Sequence, residues 1–274
     1  MNGEGTEDPI VRAYSERAEG YDEDANLRSC WGRVAERALA SIQLRERHRS
    51  VVEVGCGTAR GLRELALRSR RGVEFTGVEP AAGMRERACT ALQGLENVRV
   101  LDGRFESLPL GTGTVDYLFS ILAFHWTTDV ERSVDELARV LKPDGEQDLF
   151  FTGRDTGREF TARTTPIFLK YMGPTLLLQS AGLRKHLTRE ATTRLFQRKF
   201  SCDRLSVEES FETHHDDLEG HWSWWASRAA GHFERIPPDK RRACNDEIRE
   251  AIRGLAQDGR IPYTVHLLRV RLRS

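Results

Sequence analysis

The stretch "VVEVGCGTARG", residues 51–61, decides the fold of this chain. Its valines predict a buried strand, because β-branched residues favour a packed, pleated backbone. Gly55 and Gly57 predict a sharp turn that something bound can approach closely. The leucines that follow begin a helical pattern. Because a glycine turn between strand and helix presents backbone N–H groups and a positive helix end, the sequence predicts a ligand site here.

Two kinds of ligand are candidates for this turn, a dinucleotide and S-adenosylmethionine. A dinucleotide needs the pattern G-x-G-x-x-G, but Arg60 stands at its third glycine position and Gly61 comes one residue late. An anionic pyrophosphate also gains nothing from Glu53, directly ahead of the turn. S-adenosylmethionine carries a sulfonium, an ammonium and a carboxylate, and a site with one acid beside several N–H donors suits it. The acid-x-Gly-x-Gly order therefore favours S-adenosylmethionine.

Strands alternate with helices after this turn, which predicts an α/β fold with a doubly wound, mostly parallel, seven-stranded Rossmann-like sheet. The first five strands are expected at 51–54, 73–80, 97–103, 115–122 and 148–153. A helix over 129–145 should end at Pro143 and Gly145. Two later strands, 194–206 and 260–273, should flank a helical segment and form an antiparallel edge. Such a sheet binds ligands beyond the carboxyl ends of its strands.

The domain organisation is predicted in four parts. An N-terminal helical lid covers residues 1–45, and the S-adenosylmethionine-binding core covers 46–153. A mainly helical substrate or cap region with one late strand covers 154–259, and the final strand of 260–274 completes the sheet.

Bulk composition argues against several partners. The 274 residues contain 42 Lys and Arg against 42 Asp and Glu, so the chain lacks the basic footprint of a nucleic-acid binder. No apolar run approaches the ~20 residues that span a bilayer. The five cysteines are scattered without metal-ligand spacing. We expect a cytoplasmic protein with a small-molecule substrate and without a nucleic-acid, membrane or metal partner. Whether the protein forms a homo-oligomer stays open.

Three further segments follow the glycine turn in order: "GRFESLPL" at 103–110, "VDYLFSILAFHW" at 115–126 and "ELARVLKPDG" at 136–145. With them the chain resembles the class I S-adenosylmethionine-dependent methyltransferases. The nearest branch includes the carboxyl methyltransferases of biotin synthesis, the malonyl-carrier type, and of trans-aconitate. The resemblance is strong over 50–145 and weak beyond 155. It implies S-adenosylmethionine as cofactor and a small-molecule acceptor methylated on nitrogen, oxygen or a carboxylate, in specialised-metabolite biosynthesis.

Two other functions stay open at this point. An NAD-dependent oxidoreductase would share an acid at the end of the second strand. A non-catalytic S-adenosylmethionine-binding module would share the whole cofactor pocket but would have no acceptor site.

Carried over residue by residue, the resemblance gives the site two groups of residues. Cofactor contacts are expected from Tyr21, Glu53, Gly55, Cys56, Gly57, Glu79, Pro80, Met84, Arg104, Phe105, Ser120, Ile121 and Leu122. Substrate contacts are expected from Tyr14, His125, Trp126 and Trp225. Arg104 departs from the family, which has an acid before an alanine there to read the adenine amino group. Either the backbone or Asp102 is then expected to make that contact.

His125 is the candidate catalytic residue. A hydroxyl or an acidic carbon needs a general base, and His125 follows the fourth strand closely enough to serve. An amine or a carboxylate needs none, and His125 would then only pack beside Trp126. A second departure, Asp144 followed by the polar residues "EQD" at 146–148, is interpreted as a changed loop.

Overall fold

The computed structural model of the chain describes residues 8–23 and 27–274. Seven strands form one sheet in the order β3-β2-β1-β4-β5-β7-β6. The strands are β1 Ser50–Val54, β2 Glu74–Val78, β3 Val98–Leu101, β4 Val115–Ile121, β5 Leu141–Thr152, β6 Leu205–Asp216 and β7 Ile261–Leu272. β1 to β5 run parallel, whereas β7 is antiparallel to both β5 and β6. The predicted α/β class and the antiparallel edge are confirmed.

Helices cover both faces of the sheet. They are α1 Pro9–Glu16, α2 Cys30–Ala40, α3 Arg60–Arg68, α4 Ala82–Ala91, α5 Val130–Val140, α6 Arg158–Ala181, α7 Arg189–Gln197, α8 Leu218–Arg228, α9 Ala230–Phe233 and α10 Pro238–Arg253. One hydrophobic cluster joins α2, α3 and α4 to one face, and another joins α5 and α7 to the opposite face. Within the described residues, none of the helices combines the length and apolar character that a membrane crossing requires.

A third hydrophobic cluster lies where β7 begins. Trp31 of α2, Phe168 of α6 and Trp224 of α8 pack there with Tyr263 and with Ile248 of α10. The rings of Trp224 and Tyr263 meet edge to face at 4.8 Å. The helices after β5 therefore bury their apolar side chains against the antiparallel part of the sheet.

The helix expected over 129–145 ends earlier than predicted. α5 stops at Val140, and β5 begins at Leu141, which pairs with Val115 of β4. Pro143 cannot donate a helical hydrogen bond, and it disfavours the helical conformation of the residue before it. The sequence "KPDG" therefore belongs to the strand.

The interpretation of 146–148 as part of a changed loop is wrong. Glu146, Gln147 and Asp148 lie inside β5 and are buried, at 1%, 0% and 0% exposure. Arginines neutralise the two acids: Arg269 lies 2.7 Å from Asp148, and Arg45 lies 2.8 Å from Glu146. Because these arginines are distant in sequence, the local pattern did not reveal the burial.

The strand predicted over 194–206 is also misplaced. Its first residues belong to α7, whose N-terminus is capped by the Thr188 hydroxyl accepting the Ala191 N–H at 3.2 Å. Leu195 and Phe196 of α7 are buried against the sheet. The strand is β6, which pairs with β7 from Leu205 to Asp216, so the helical segment expected between the two late strands begins only at Leu218.

Gly77 of β2 makes room for the glycine turn. A Cβ at this position would lie 2.6 Å from the Cys56 Sγ and 3.2 Å from Leu62 of α3. The absence of a side chain thus lets the turn and the start of α3 pack directly on the second strand.

We therefore expect Gly77→Ala to lower the free energy of unfolding by about 1 to 3 kcal/mol, the usual cost of overpacking. Combining it with Cys56→Ala should restore part of that loss, because the clashing sulfur is removed. Urea denaturation of the two single variants and the double variant measures this. Equal stability of Gly77→Ala and the parent, or no recovery of stability in the double variant, would show that position 77 does not pack against the Cys56 sulfur.

Candidate functional site

A cavity lies beyond the carboxyl ends of β1, β2 and β4, where the sheet topology predicts a ligand. Its volume is about 760 Å³, including the part open to solvent. Its walls come from the glycine turn, the segment after β2, the segment after β3, the segment after β4 and helix α1.

Glycine is needed at different positions of the turn for different structural reasons. Gly55 has φ +72°, and a Cβ there would collide with the Ala123 side chain. Gly57 has φ +54° and would point a side chain into open space, so its backbone faces the cavity. A Cβ on Gly61 would lie 3.2 Å from a carboxylate oxygen of Glu53. Gly61 therefore lets the start of α3 lie close to Glu53.

Glu79 joins the end of β2 to the glycine turn. One carboxylate oxygen accepts the Gly57 N–H at 3.0 Å, and the other accepts the Ala81 N–H at 2.9 Å. Burial raises the pKa of Glu79, and these two hydrogen bonds partly oppose the rise. The carboxylate is thereby fixed in the cavity wall.

Glu53 is the more isolated acid. It is 4% exposed, and among the described residues one of its oxygens has no hydrogen-bond partner. Burial and the neighbouring Glu79 raise its pKa to about 8, although the Leu62 backbone N–H at the start of α3 donates to it. A buried acid with an unsatisfied oxygen beside the turn fits a ligand that brings a cationic group.

Helix α1 closes one side of the cavity. Its residues Ile10, Val11 and Tyr14 line the wall. The Tyr14 ring lies 6.0 Å from that of Tyr21 and 6.3 Å from that of Trp126, counted between ring centres. Tyr14, the expected substrate contact, and Tyr21, the expected cofactor contact, therefore meet at the cavity.

Most of the predicted site residues line this cavity. Those in its wall are Tyr14, Tyr21, Gly55, Gly57, Glu79, Pro80, Met84, Arg104, Phe105, Ile121, Leu122 and Trp126. Leu122 also has φ +58°, a strained value for leucine of the kind found at functional sites. Glu53, Cys56 and Ser120 are buried and are not wall residues.

His125 and Trp225 do not line the cavity. His125 is 2% exposed, and its Nδ1 accepts the Thr152 N–H at 3.5 Å. Trp225 packs against the cluster at the start of β7. The centre of its ring lies 5.5 Å from that of Trp222. Phe124–Trp126 forms a 3-10 turn, in which consecutive side chains diverge by about a third of a circle. The turn therefore presents Trp126 to the cavity and His125 to the interior.

Sequence reasoning missed Asp8 and Glu106, which both line the cavity. One Glu106 oxygen accepts the Thr127 hydroxyl at 2.6 Å and the Thr128 hydroxyl at 2.7 Å. These bonds outweigh burial and lower the Glu106 pKa. Asp102, the suggested substitute at the adenine edge, instead pairs with Arg85 at 3.1 Å and is not a wall residue.

Comparison with known proteins agrees with this geometry. Residues 52–147 match the family described as "Methyltransferase domain". Malonyl-[acyl-carrier protein] O-methyltransferase of Methylovorus sp. (strain MP688) is 29% identical over 162 residues, which cover 57% of this chain and 53% of that protein. The chain spans about half the length of the curated relatives it matches.

Solved structures share the fold over more of the chain. The YcgJ protein from Bacillus subtilis aligns with a TM-score of 0.58 at 22% identity, covering 89% of this chain and 99% of that one. Geranyl diphosphate C-methyltransferase from Streptomyces coelicolor A3(2) aligns with a TM-score of 0.54 at 15% identity, covering 100% and 86%. At these identities the likeness establishes the fold.

The Glu53 carboxyl should make stability depend on pH. Its folded-state pKa of about 8 lies above the ordinary value of 4.5, so the folded chain holds a proton that the unfolded chain loses. Between these two values its contribution should lower the free energy of unfolding by ~1.4 kcal/mol per pH unit as pH rises. Glu53→Gln should remove this slope and be the more stable form at pH 7.5, but not at pH 4.5.

Denaturation across that pH range, with Glu64→Gln as the control on an exposed face of α3, tests this expectation. The control should keep the parent slope. A parent slope in Glu53→Gln as well would mean that Glu53 is ionised in the folded chain.

Proposed function

We propose that the chain is a class I S-adenosylmethionine-dependent methyltransferase that transfers a methyl group from this cofactor to a small-molecule acceptor, because residues 52–147 match the methyltransferase-domain family. Nitrogen, oxygen and carboxylate acceptors all remain within the proposal, as does a role in specialised-metabolite biosynthesis. The observation that carries it is the cavity at the glycine turn, with Glu79 in its wall and Glu53 buried beside it. The relatives named for malonyl-carrier methylation add support for a carboxylate acceptor.

The polar and apolar groups around the cavity fit the separate parts of this cofactor. The unsatisfied oxygen of Glu53 suits the ammonium of the methionine portion, and the turn at Gly55 and Gly57 suits its carboxylate. Glu79 is an acceptor for the ribose hydroxyls, and Met84 is an apolar surface for the adenine. When bound, the cofactor supplies a methyl group activated by a cationic sulfur.

The chain's own part in the reaction is alignment and exclusion of water. Leu122 and Trp126 after β4, with Tyr14 on α1, enclose the cavity. An acceptor held against these side chains is shielded from bulk water. Trp126 also has a buried indole N–H that lacks a partner among the described residues, and an acceptor oxygen would satisfy it.

His125 is proposed to position the turn after β4 rather than act as a base. Its ring nitrogen Nδ1 accepts a backbone N–H, and its carbonyl accepts the Lys185 N–H at 2.8 Å. These contacts hold the turn that carries Trp126. Transfer without a base suits an amine or carboxylate acceptor, which is already nucleophilic.

The alternatives are weaker. The displaced Gly61, which packs on Glu53, removes the dinucleotide pattern, and no comparison supports an oxidoreductase. A non-catalytic module would bind the cofactor without turnover. The division at residues 45, 153 and 259, the substrate role of Trp225 and the oligomeric state stay predictions.

Binding of S-adenosylhomocysteine tests the cofactor assignment. We expect the parent to bind it and gain thermal stability. Glu79→Ala should weaken binding by ~1.5 to 3 kcal/mol, the scale for lost hydrogen bonds to a charged group. Asp102→Ala is the control, since this acid is exposed and lies outside the wall. Calorimetric titration in which both variants bind like the parent would refute the role of Glu79.

Substitution of His125 tests base-free transfer. His125→Ala should lower the single-turnover rate roughly tenfold or less, without changing its pH profile, because only positioning is lost. If His125 were a general base, the substitution would lower the rate ~10²- to 10⁴-fold. The rate of the parent would then rise with pH through the pKa of the histidine. Methyl transfer by both proteins over about pH 5.5 to 9, the range that contains ordinary histidine titration, separates the two outcomes.

A further inference from the structure

An ion pair joins helix α1 to the opposite wall of the cavity. Asp8 caps the helix, with one oxygen accepting the Ile10 N–H at 2.9 Å. Its other oxygen accepts from the Arg104 guanidinium at 2.7 Å. Arg104 follows β3, 96 residues away in the chain, and both side chains line the cavity. The pair therefore joins two parts of the cavity wall.

The same guanidinium continues to the turn after β4. Arg104 Nε lies 3.5 Å from a Glu106 oxygen, and the other Glu106 oxygen accepts the hydroxyls of Thr127 and Thr128. Trp126 directly precedes this pair of threonines. Polar contacts thus run from the cap of α1 through Arg104 to the turn that carries Trp126, which itself meets Tyr14 of α1.

Helix α1 is held by contacts with its neighbours, including the packing of Val11 and Tyr14 against the cluster of Ala18, Ala81 and Met84. It has eight residues, none of which is buried. A helix of this length is not stable alone in water, so its neighbours must hold it. At its other end, the Gly83 N–H of α4 donates to the Ser15 hydroxyl at 2.8 Å. Arg104 is the corresponding attachment at the amino-terminal end.

We propose that the Asp8–Arg104 ion pair is the latch that keeps α1 closed over the cavity and so sets how long a bound ligand stays. Arg104 is a positioning residue, and it acts through the lid rather than on the reacting atoms. The ligand's identity rests on the proposed function, whereas the latch itself does not. A latch accounts for a cation at a position where the family resemblance leads one to expect an acid.

Hydrogen exchange of α1 in the ligand-free chain tests the latch. Arg104→Gln removes the charge, and Asp8→Asn removes its partner while keeping a good helix cap. Each should speed exchange of the α1 amides about 1.5- to 5-fold, the scale of one partly exposed ion pair. The double variant should exchange no faster than Arg104→Gln, because Asp8→Asn removes a contact that Arg104→Gln has already removed. Arg99→Gln on β3, whose Nε bonds the Thr76 hydroxyl at 3.2 Å, is the control.

Dissociation of S-adenosylhomocysteine, followed by stopped flow, gives the functional readout. The latch variants should release it faster by a similar factor, and added salt should speed release from the parent more than from Arg104→Gln. Unchanged α1 exchange, or additive effects in the double variant, would overturn the latch. Faster exchange with unchanged release would overturn its control of residence time. Failure of the parent to bind at all would count against the proposed function, and the exchange data would still decide the latch.

Discussion

Two acids at the ends of neighbouring parallel strands define the site. Glu53 in β1 pairs in register with Gly77 of β2, and Glu79 follows β2 directly. Both are buried, and the glycine turn must fit between them, α3 and the cavity. Two features of the turn answer to this constraint: Gly61 leaves space for Glu53, and Glu79 holds the Gly57 N–H. Burying two acids together is costly, and a cationic ligand offsets that cost.

The sequence predicted this part well because the determinants are local. The valines, the glycine turn and the acids stand within a few residues of one another or at strand ends, where chain order already fixes the geometry. His125 could not be resolved in this way. The neighbouring residues 125 and 126 are equally close to the strand end, and only the 3-10 turn decides that Trp126 faces the cavity.

Longer-range contacts explain the remaining errors. Asp148 is buried because Arg269, from a strand more than a hundred residues later, reaches it. β6 exists as a strand because β7 pairs with it along its whole length, although its own residues are largely polar and exposed. The partner of Asp8 was missed for the same reason. Asp8 caps a helix, but its local sequence does not show that it pairs with Arg104, which lies 96 residues later in the chain.

We propose that the cavity beside Glu53 and Glu79 holds S-adenosylmethionine. A crystal structure of the chain grown with S-adenosylhomocysteine would test this assignment. We expect density in this cavity, with the ribose hydroxyls on the Glu79 carboxylate and the ammonium beside Glu53. Density for the ligand elsewhere, or its ribose turned away from Glu79, would contradict the assignment of this cavity to S-adenosylmethionine.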